Sequence, residues 1–175
     1  MIDVYKYIKD NNIGIEPLMT AVTDVEFRAI ISVLNIDIAV EIGTFHGATA
    51  AYIAQFANKV HTFDIIDYHN QRMWKDLGLE DKIVYHLVKD KEEIKQILST
   101  IEFDFAFIDD GHEYEDTKAD FELVKHCGRI LFHDVNHPSL FPGVRKFTDE
   151  LGNVRIVGNN GYWEDNNGSN TWINK

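Results

Sequence analysis

Two short segments of this 175-residue chain combine carboxylates with imidazoles, and each segment directly follows an apolar run. Carboxylate oxygens with an imidazole suit a divalent ion such as Mg²⁺, Mn²⁺ or Fe²⁺, and the same groups can also transfer protons. A metal site or an acid–base site is therefore predicted; the alternative is a set of polar loop residues that cap the following helices. The residues concerned are Asp109, Asp110, His112, His133, Asp134 and His137.

A glycine-bearing segment, Glu41-Ile42-Gly43-Thr44-Phe45-His46-Gly47, follows another apolar run. Glycine lets the chain turn sharply and lets a ligand approach the backbone, and the helix that follows directs its N–H groups at that ligand. The dinucleotide fingerprint would need glycines at positions 45 and 48, where the chain has Phe45 and Ala48. No lysine follows Gly47, so a phosphate-binding loop is also excluded. The segment is either a ligand-binding turn of another kind or an ordinary strand–helix turn.

A third candidate position is Phe63-Asp64-Ile65, at the end of the next apolar run. An acidic residue at such a point can accept hydrogen bonds from both ribose hydroxyls of a nucleoside. The alternative is a surface carboxylate that caps the next helix. In combination with the glycine turn, ribose binding is the favoured interpretation.

The elements that position these residues alternate between strand and helix. Apolar runs predict strands over 36–42, 60–66, 82–88, 103–108, 129–132 and 154–157, with helical segments between them. Such alternation is typical of a three-layer α/β fold, a doubly wound and mostly parallel sheet with helices on both faces. We expect strand order 3-2-1-4-5, with an antiparallel strand added from residues 154–174 around Trp163 and Trp172. Ligands of such sheets bind at the carboxyl ends of the strands, where all three candidate segments fall.

The chain is interpreted as one domain over residues 1–175, with helices in 1–35 and the core in 36–175. One predicted helix covers Thr23–Leu34, and Thr23 followed by Glu26 resembles a capping box. Helical spacing places Val25, Ala29, Ile30 and Val33 on one face, which is expected to face the core.

The composition limits the classes of partner. Acidic residues number 29 against 17 basic ones, a net charge of −12, which disfavours nucleic acids and anionic membranes because both require a basic surface. No apolar run approaches the length of a membrane span, and charges interrupt the N-terminal one, so no signal peptide is expected. A single cysteine, Cys127, excludes an intramolecular disulfide framework. We expect a cytoplasmic protein with a small-molecule partner.

The motifs resemble those of a known enzyme family. The spacing Glu-x-Gly-x-x-x-Gly is similar to the first motif of class I S-adenosylmethionine (SAM) methyltransferases. The stretch FIDDGHEYEDTKADFELV resembles the signature of the group that contains macrocin O-methyltransferase and the proteins named cephalosporin hydroxylase. The resemblance covers roughly residues 36–151 and is more distantly shared with catechol O-methyltransferase. The matching positions are Asp109, His112, Tyr114, Glu115, Lys118, Asp120, His133, Asp134, Pro142, Gly143 and Val144.

This resemblance implies a Rossmann-like SAM methyltransferase fold and assigns roles to single residues. Asp109 and Asp134 would hold a divalent cation such as Mg²⁺, with His133 where some relatives carry an acidic residue. Asp109 and His112 are the candidate catalytic groups, with His112 as either base or ligand. SAM would be bound by Glu41, Gly43, Thr44, Phe45, Gly47, Asp64, Ile65, Asp90 and Asp109.

The leading hypothesis is a metal-assisted O-methyltransferase for a small hydroxylated molecule, with a sugar as one candidate. A metal-dependent hydrolase or oxygenase is one alternative and would turn over without SAM. A non-catalytic SAM-binding module is the other. The chain carries no large lid segment, so the acceptor pocket is expected to be open or completed by another copy in a homo-oligomer.

Overall fold

Strands and helices alternate along the chain, as its apolar pattern predicts. The structure is a computed structural model that describes residues 3–11, 20–68 and 71–165. The strands are β1 (Ile38–Ile42), β2 (Lys59–Asp64), β3 (Ile83–Leu87), β4 (Phe105–Ile108), β5 (Arg129–Phe132), β6 (Arg155–Val157) and β7 (Asn160–Glu164). The α-helices are α1 (Val4–Asp10), α2 (Val25–Val33), α3 (Ala48–Ile53), α4 (Gln71–Asp76), α5 (Lys91–Leu98), α6 (Tyr114–Val124) and α7 (Pro142–Leu151).

The described strands form one seven-stranded sheet in the order β3-β2-β1-β4-β5-β7-β6. The first five are mutually parallel, whereas β7 runs antiparallel to β5 and β6 antiparallel to β7. The predicted order 3-2-1-4-5 and the antiparallel C-terminal strand are therefore confirmed. Trp163 lies in β7, while the strand-like segment around Trp172 lies outside the described residues.

Alternation along the strands creates two cores, one on each face of the sheet. One core joins alanine-rich α3 to α1, α2 and α4 through side chains such as Phe27, Ile31, Ile53 and Met73. The other joins α5, α6 and α7 through Ile94, Phe121, Val144 and Phe147, among others. Because successive strand residues point to opposite faces, β1 supplies Ala39 to the first core and Val40 and Ile42 to the second. The three-layer α/β prediction is confirmed.

Helix α2 differs from its prediction. It begins at Val25, because Thr23 instead ends a short 3₁₀ helix over Ala21–Thr23. Asp24 precedes the helix, but its side chain makes no capping hydrogen bond. The buried side chains are those of Phe27 and Ile31, and Phe27 packs at 5.1 Å from the ring of Phe107. The predicted inward residues Val25 and Val33 are 65% and 75% exposed. The large aromatic ring, rather than the β-branched pair, fixes the rotation of this helix.

The backbone connects the carboxyl ends of the central strands. The N–H of Gly43 donates to Phe63 at 2.9 Å, that of Asp109 to Ile42 at 3.0 Å, and that of His133 to Ile108 at 3.1 Å. The parallel pairing thus continues one residue beyond β1, β4 and β5. Across residues 3–11, 20–68 and 71–165, no helix is long and apolar enough to cross a membrane.

Candidate functional site

A cavity of about 590 Å³ lies at the carboxyl ends of β1, β2, β4 and β5, where the topology predicts a ligand site. Segments that follow these strands form its walls, together with the segment before α2. Of the predicted site residues, it is lined by Gly43, Thr44, Phe45, Asp64, Ile65, Asp109, His112, His133 and Asp134. Glu41, Gly47 and Asp90 do not line it.

The turn after β1 needs glycine at both predicted positions. Gly43 has φ +98°, and Gly47 has φ +77°. A Cβ on Gly43 would lie 2.2 Å from the backbone oxygen of Asp109, and one on Gly47 would lie 2.6 Å from the ring of Trp74. Backbone conformation and close packing thus both favour glycine, and they leave the backbone bare where it faces the cavity.

Glu41 supports this turn from below and does not reach the cavity. Its side chain is fully buried, and it accepts a hydrogen bond from the Thr62 hydroxyl, which lies 2.5 Å from that of Thr44. Burial raises the pKa of Glu41 well above its usual value, although the hydrogen bond from Thr62 opposes that shift. The expectation that Glu41 contacts a cofactor is corrected: in a strand, it shares a face with Ala39 and points into the helix layer.

Asp64 ends β2 with its carboxylate at the cavity. Oδ2 accepts the N–H of Phe45 at 2.8 Å, and Oδ1 accepts the N–H of Ile66 at 3.0 Å. Each oxygen keeps a further lone pair that can accept a hydrogen bond from a ligand hydroxyl. Asp90, by contrast, caps α5 by accepting the N–H of Glu93 at 3.0 Å, so its predicted place at the cofactor is corrected.

Three side chains at the ends of β4 and β5 could hold a metal ion. Asp109, His112 and Asp134 each present one ligand atom, and these atoms lie within 4.8 Å of one another. His112 Nε2 is 2.9 Å from Asp134 Oδ2 and 4.0 Å from Asp109 Oδ1. Burial alone would lower the pKa of His112, but its hydrogen bond to Asp134 and the charge of Asp109 raise it overall.

His133 lies beside Asp109 and Asp134, as predicted, and also contacts a third carboxylate, Asp24. Its Nε2 donates to Asp24 at 3.1 Å, while Nδ1 lies 3.3 Å from Asp109 Oδ1 and 3.4 Å from Asp134 Oδ2. Burial opposes its charge, yet these three carboxylates raise the pKa of His133 to about 12. His133 is thus an ion-pair partner of the carboxylates, and its role as a metal ligand stays a prediction. The imidazole whose ligand atom groups with Asp109 and Asp134 in the structure is that of His112.

The same contacts set the charge state of Asp134. Burial would raise the pKa of this carboxyl, but hydrogen bonds from His112 and His133 hold it well below its usual range. Asn159, in the turn between β6 and β7, donates to Asp134 Oδ1 at 2.7 Å. Asp134 itself has φ +58°, a conformation that aspartate tolerates better than most residues.

Asp24, Phe141 and Asn159 are among the contributors to this site that could not be predicted from the sequence. Asp24 contacts His133, and the ring of Phe141 lies 4.1 Å from that of His112. None of the three follows a strand of the parallel sheet, and no local spacing marks them. Only the helical start after Phe141, Pro142-Gly143-Val144, carried a signal in the sequence.

Comparison with protein families gives the site its context. A family model described as a methyltransferase domain matches residues 40–137, more than half of the chain. The chain belongs to this methyltransferase-domain family. The matched residues run from β1 to the segment after β5 and contain all four cavity-forming strand ends. Asp24, Phe141 and Asn159 lie outside the match. No curated protein matches the sequence of this chain.

Solved structures agree with this assignment at the level of the fold. A Klebsiella pneumoniae protein proposed to be an O-methyltransferase has a TM-score of 0.72 at 16% identity, covering 94% of this chain and 90% of its own. The O-methyltransferase TomG from Streptomyces achromogenes, involved in tomaymycin synthesis and solved with SAM, has a TM-score of 0.69 at 15% identity, with 94% and 90% covered. A Bacillus cereus O-methyltransferase, solved with S-adenosylhomocysteine (SAH), has a TM-score of 0.66 at 19% identity, with 93% and 90% covered. The predicted methyltransferase family and Rossmann-like fold are confirmed.

Proposed function

We propose that this member of the methyltransferase-domain family transfers the methyl group of SAM to a hydroxyl of a small molecule, with assistance from a divalent cation. One observation carries the proposal. A single cavity joins the bare glycine turn and the ribose-type carboxylate, Asp64, to the carboxylate–histidine cluster of Asp109, His112 and Asp134. The first group suits a nucleoside cofactor, and the second suits activation of a hydroxyl.

The cofactor half of the cavity fits SAM. The unhindered backbone at Gly43 allows the close approach that the cofactor needs, and Asp64 offers lone pairs to the two ribose hydroxyls. SAM contains no pyrophosphate, so it needs neither the additional glycines nor the lysine that this turn lacks. The fold of the SAM-bound and SAH-bound structures from Streptomyces achromogenes and Bacillus cereus supports the same cofactor.

The donor set of the cluster fits a hard or borderline divalent ion. Asp109 and Asp134 supply carboxylate oxygens and His112 an imidazole nitrogen, the ligand types of Mg²⁺, Mn²⁺ or Fe²⁺. Two carboxylates this close repel each other unless a cation intervenes. A bound divalent ion would lower the pKa of an acceptor hydroxyl and fix its position.

The chain's own residues then orient the acceptor and accept its proton. SAM, when bound, supplies a methyl group on a sulfonium sulfur that is already a good leaving group. The residues must therefore hold the acceptor oxygen in line with that methyl and take the hydroxyl proton. Asp109 belongs to the cluster and packs its backbone against Gly43 of the glycine turn, so it can help to orient both the acceptor and the cofactor. His112 takes the proton if Asp109 and Asp134 hold the ion, and serves as a ligand if Asp109 is the base.

A metal-free variant of this function has specific support. His112 and His133 both contact the carboxylates of the cluster, and His133 carries a positive charge there. Charge neutralisation by histidine alone would let His112 and Asp109 act as an acid–base pair. Chelation decides between the two versions.

Thermal unfolding with SAM, SAH, NAD and ATP tests the cofactor assignment. A ligand at 100 times its dissociation constant stabilises by about 2.7 kcal/mol, so SAM and SAH should raise Tm, whereas NAD and ATP should not. Methyl transfer from radiolabelled SAM to sugars and catechols is then measured with Mg²⁺ and with excess chelator. Turnover that survives chelation supports the metal-free version. SAM binding without transfer to any acceptor supports a binding module, and metal-dependent hydrolysis without SAM contradicts the proposal.

We further propose that the reaction takes place in the cytoplasm.

A further inference from the structure

The cavity is rich in carboxylates, and His133, the cationic group near its acceptor end, is paired with Asp24, Asp109 and Asp134. Among the described residues that line the cavity, there are five aspartates, namely Asp24, Asp64, Asp109, Asp110 and Asp134, and no lysine or arginine. The two internal stretches beside it in sequence, 12–19 and 69–70, also contain neither basic residue. Carboxylates accept hydrogen bonds and attract ammonium groups, but they repel acidic substituents.

Asp24 lies at the acceptor end and not at the cofactor end. Its partner His133 follows β5, which is three strands from β2, where Asp64 faces the cofactor. Three strand spacings amount to about 14 Å, so one small ligand group cannot contact both carboxylates. Asp24 is instead next to the cluster where the acceptor hydroxyl is activated.

The carboxylate of Asp24 has unused capacity. It precedes α2 without capping that helix, and Oδ2 accepts from His133. Oδ1 forms no hydrogen bond with any part of the chain that the structure describes, and the side chain is 26% exposed. It lines the cavity beside the hydroxyl-bearing residues Thr20 and Thr23. The Phe141 ring, whose centroid lies 4.1 Å from that of His112, also lines the cavity and offers an apolar surface to the acceptor skeleton.

From this geometry we infer that Asp24 determines acceptor specificity. It selects molecules that carry a hydrogen-bond donor, an ammonium or a second hydroxyl, near the methylated hydroxyl, and it disfavours those with a carboxylate or phosphate there. The inference rests on the proposed methyl transfer and adds the chemical class of the acceptor. Asp24 would act in the same way with any bound metal, because a cation would be held by Asp109 and Asp134, whereas Asp24 is paired with His133.

Three catechols with the same reacting diol test the inference: dopamine, catechol and 3,4-dihydroxybenzoate. Their binding to the SAH-loaded protein with Mg²⁺ is measured by calorimetry. We expect dopamine to bind at least about tenfold more tightly than the benzoate, the lower limit for one charge-assisted hydrogen bond, with catechol between them. Equal or tighter binding of the benzoate would overturn the inference, as would the absence of binding by all three at millimolar concentration. SAH binding is measured first and tests the proposed function separately.

Two variants then assign the preference to a residue. Asp24→Asn keeps the size of the side chain and should remove most of the difference between dopamine and the benzoate while SAH affinity is retained. Glu102→Gln removes the same charge from an exposed residue that precedes β4, at the amino ends of the strands and away from the cavity. This variant should preserve the difference in affinity between dopamine and the benzoate. An unchanged ratio in Asp24→Asn would contradict the role of Asp24. If Asp24→Asn does not fold, the comparison of probes on the unmodified protein still tests the preference for a hydrogen-bond donor, and its absence would overturn the inference.

Discussion

The backbone of Gly43 packs directly against that of Asp109, so that a Cβ atom on Gly43 would lie 2.2 Å from the Asp109 carbonyl oxygen. One residue belongs to the turn proposed for the cofactor, and the other to the cluster proposed for the acceptor. Neighbouring parallel strands β1 and β4 bring them together, and the N–H of Asp109 extends that pairing by donating to Ile42. The two halves of the site therefore share a rigid backbone contact.

Gly43→Ala should damage stability and cofactor binding together. Its φ of +98° is unfavourable for alanine, and the new methyl group must displace backbone rather than a flexible side chain. Backbone strain and overpacking each cost about 1–3 kcal/mol, so we expect a combined loss of about 2–6 kcal/mol in urea unfolding. SAH affinity, measured by calorimetry, should fall in any folded fraction.

Gly78→Ala provides the matched control. Gly78 has φ +64°, but a Cβ there meets nothing within 4 Å. This variant should therefore show the strain alone, about 1–2 kcal/mol, with SAH affinity retained. Equal losses in the two variants would mean that the contact with Asp109 has no energetic importance.

The sequence predicts the main site residues because of one rule of parallel sheets. Gly43, Asp64, Asp109 and Asp134 each follow a strand, and strand ends converge at one edge, so their positions could be predicted without knowledge of any contact. The roles of His112 and His133 could not be separated in this way. Both lie near strand ends, and only the side-chain geometry shows that His133 contacts three carboxylates, whereas His112 is hydrogen-bonded to Asp134 alone.

Other parts of the site depend on contacts that no local pattern encodes. Asp24 and His133 are 109 positions apart and meet only because α2 packs over the sheet. Local patterns also led to two errors in α2: the capping-type pair at Thr23 and Glu26 suggested an earlier helix start, and the apolar spacing suggested that Val25 and Val33 face the core. The burial of Glu41 could have been predicted, because strand alternation places it on the face opposite Val40 and Ile42.

Asp64→Ala should weaken SAH binding by about 1.5–3 kcal/mol, roughly 10- to 150-fold, because it removes charge-assisted hydrogen bonds to the ribose. Calorimetry gives the affinity directly. Asp90→Ala is the control, since that carboxylate caps α5 outside the cavity. It should lower stability by about 1 kcal/mol without altering SAH binding. Unchanged affinity in Asp64→Ala would refute ribose binding by this residue.

Asp134→Asn should reduce the affinity for Mn²⁺ while SAH affinity stays close to its original value. Asparagine tolerates the φ of +58° and keeps the size of the side chain, so the substitution removes mainly charge. A carboxylate–cation contact at an effective dielectric of about 20 is worth on the order of 4 kcal/mol, so the loss in Mn²⁺ affinity should exceed about tenfold. Calorimetric titration with Mn²⁺ measures it. Full Mn²⁺ affinity in this variant would exclude the cluster as the metal site.

Asp120 should make stability depend on pH. Its side chain on α6 is fully buried, with Lys91 Nζ at 2.7 Å, and burial outweighs that pairing and raises the pKa of Asp120 from 3.8 to about 6. A raised pKa means that ionisation of the folded protein carries a penalty. The penalty is absent below about pH 4, grows between pH 4 and 6, and is complete above pH 6.

Asp120→Asn should therefore gain stability relative to the original protein as pH rises from 4 to 6, and the gain should then stay constant. A shift of about two units corresponds to about 3 kcal/mol at most, measurable by urea unfolding at a series of pH values. Glu122→Gln changes the same charge at an exposed position of α6 and should stay within about 0.5 kcal/mol at every pH. A constant difference for Asp120→Asn across this range would show that the ion pair with Lys91 compensates fully for the burial of the carboxylate.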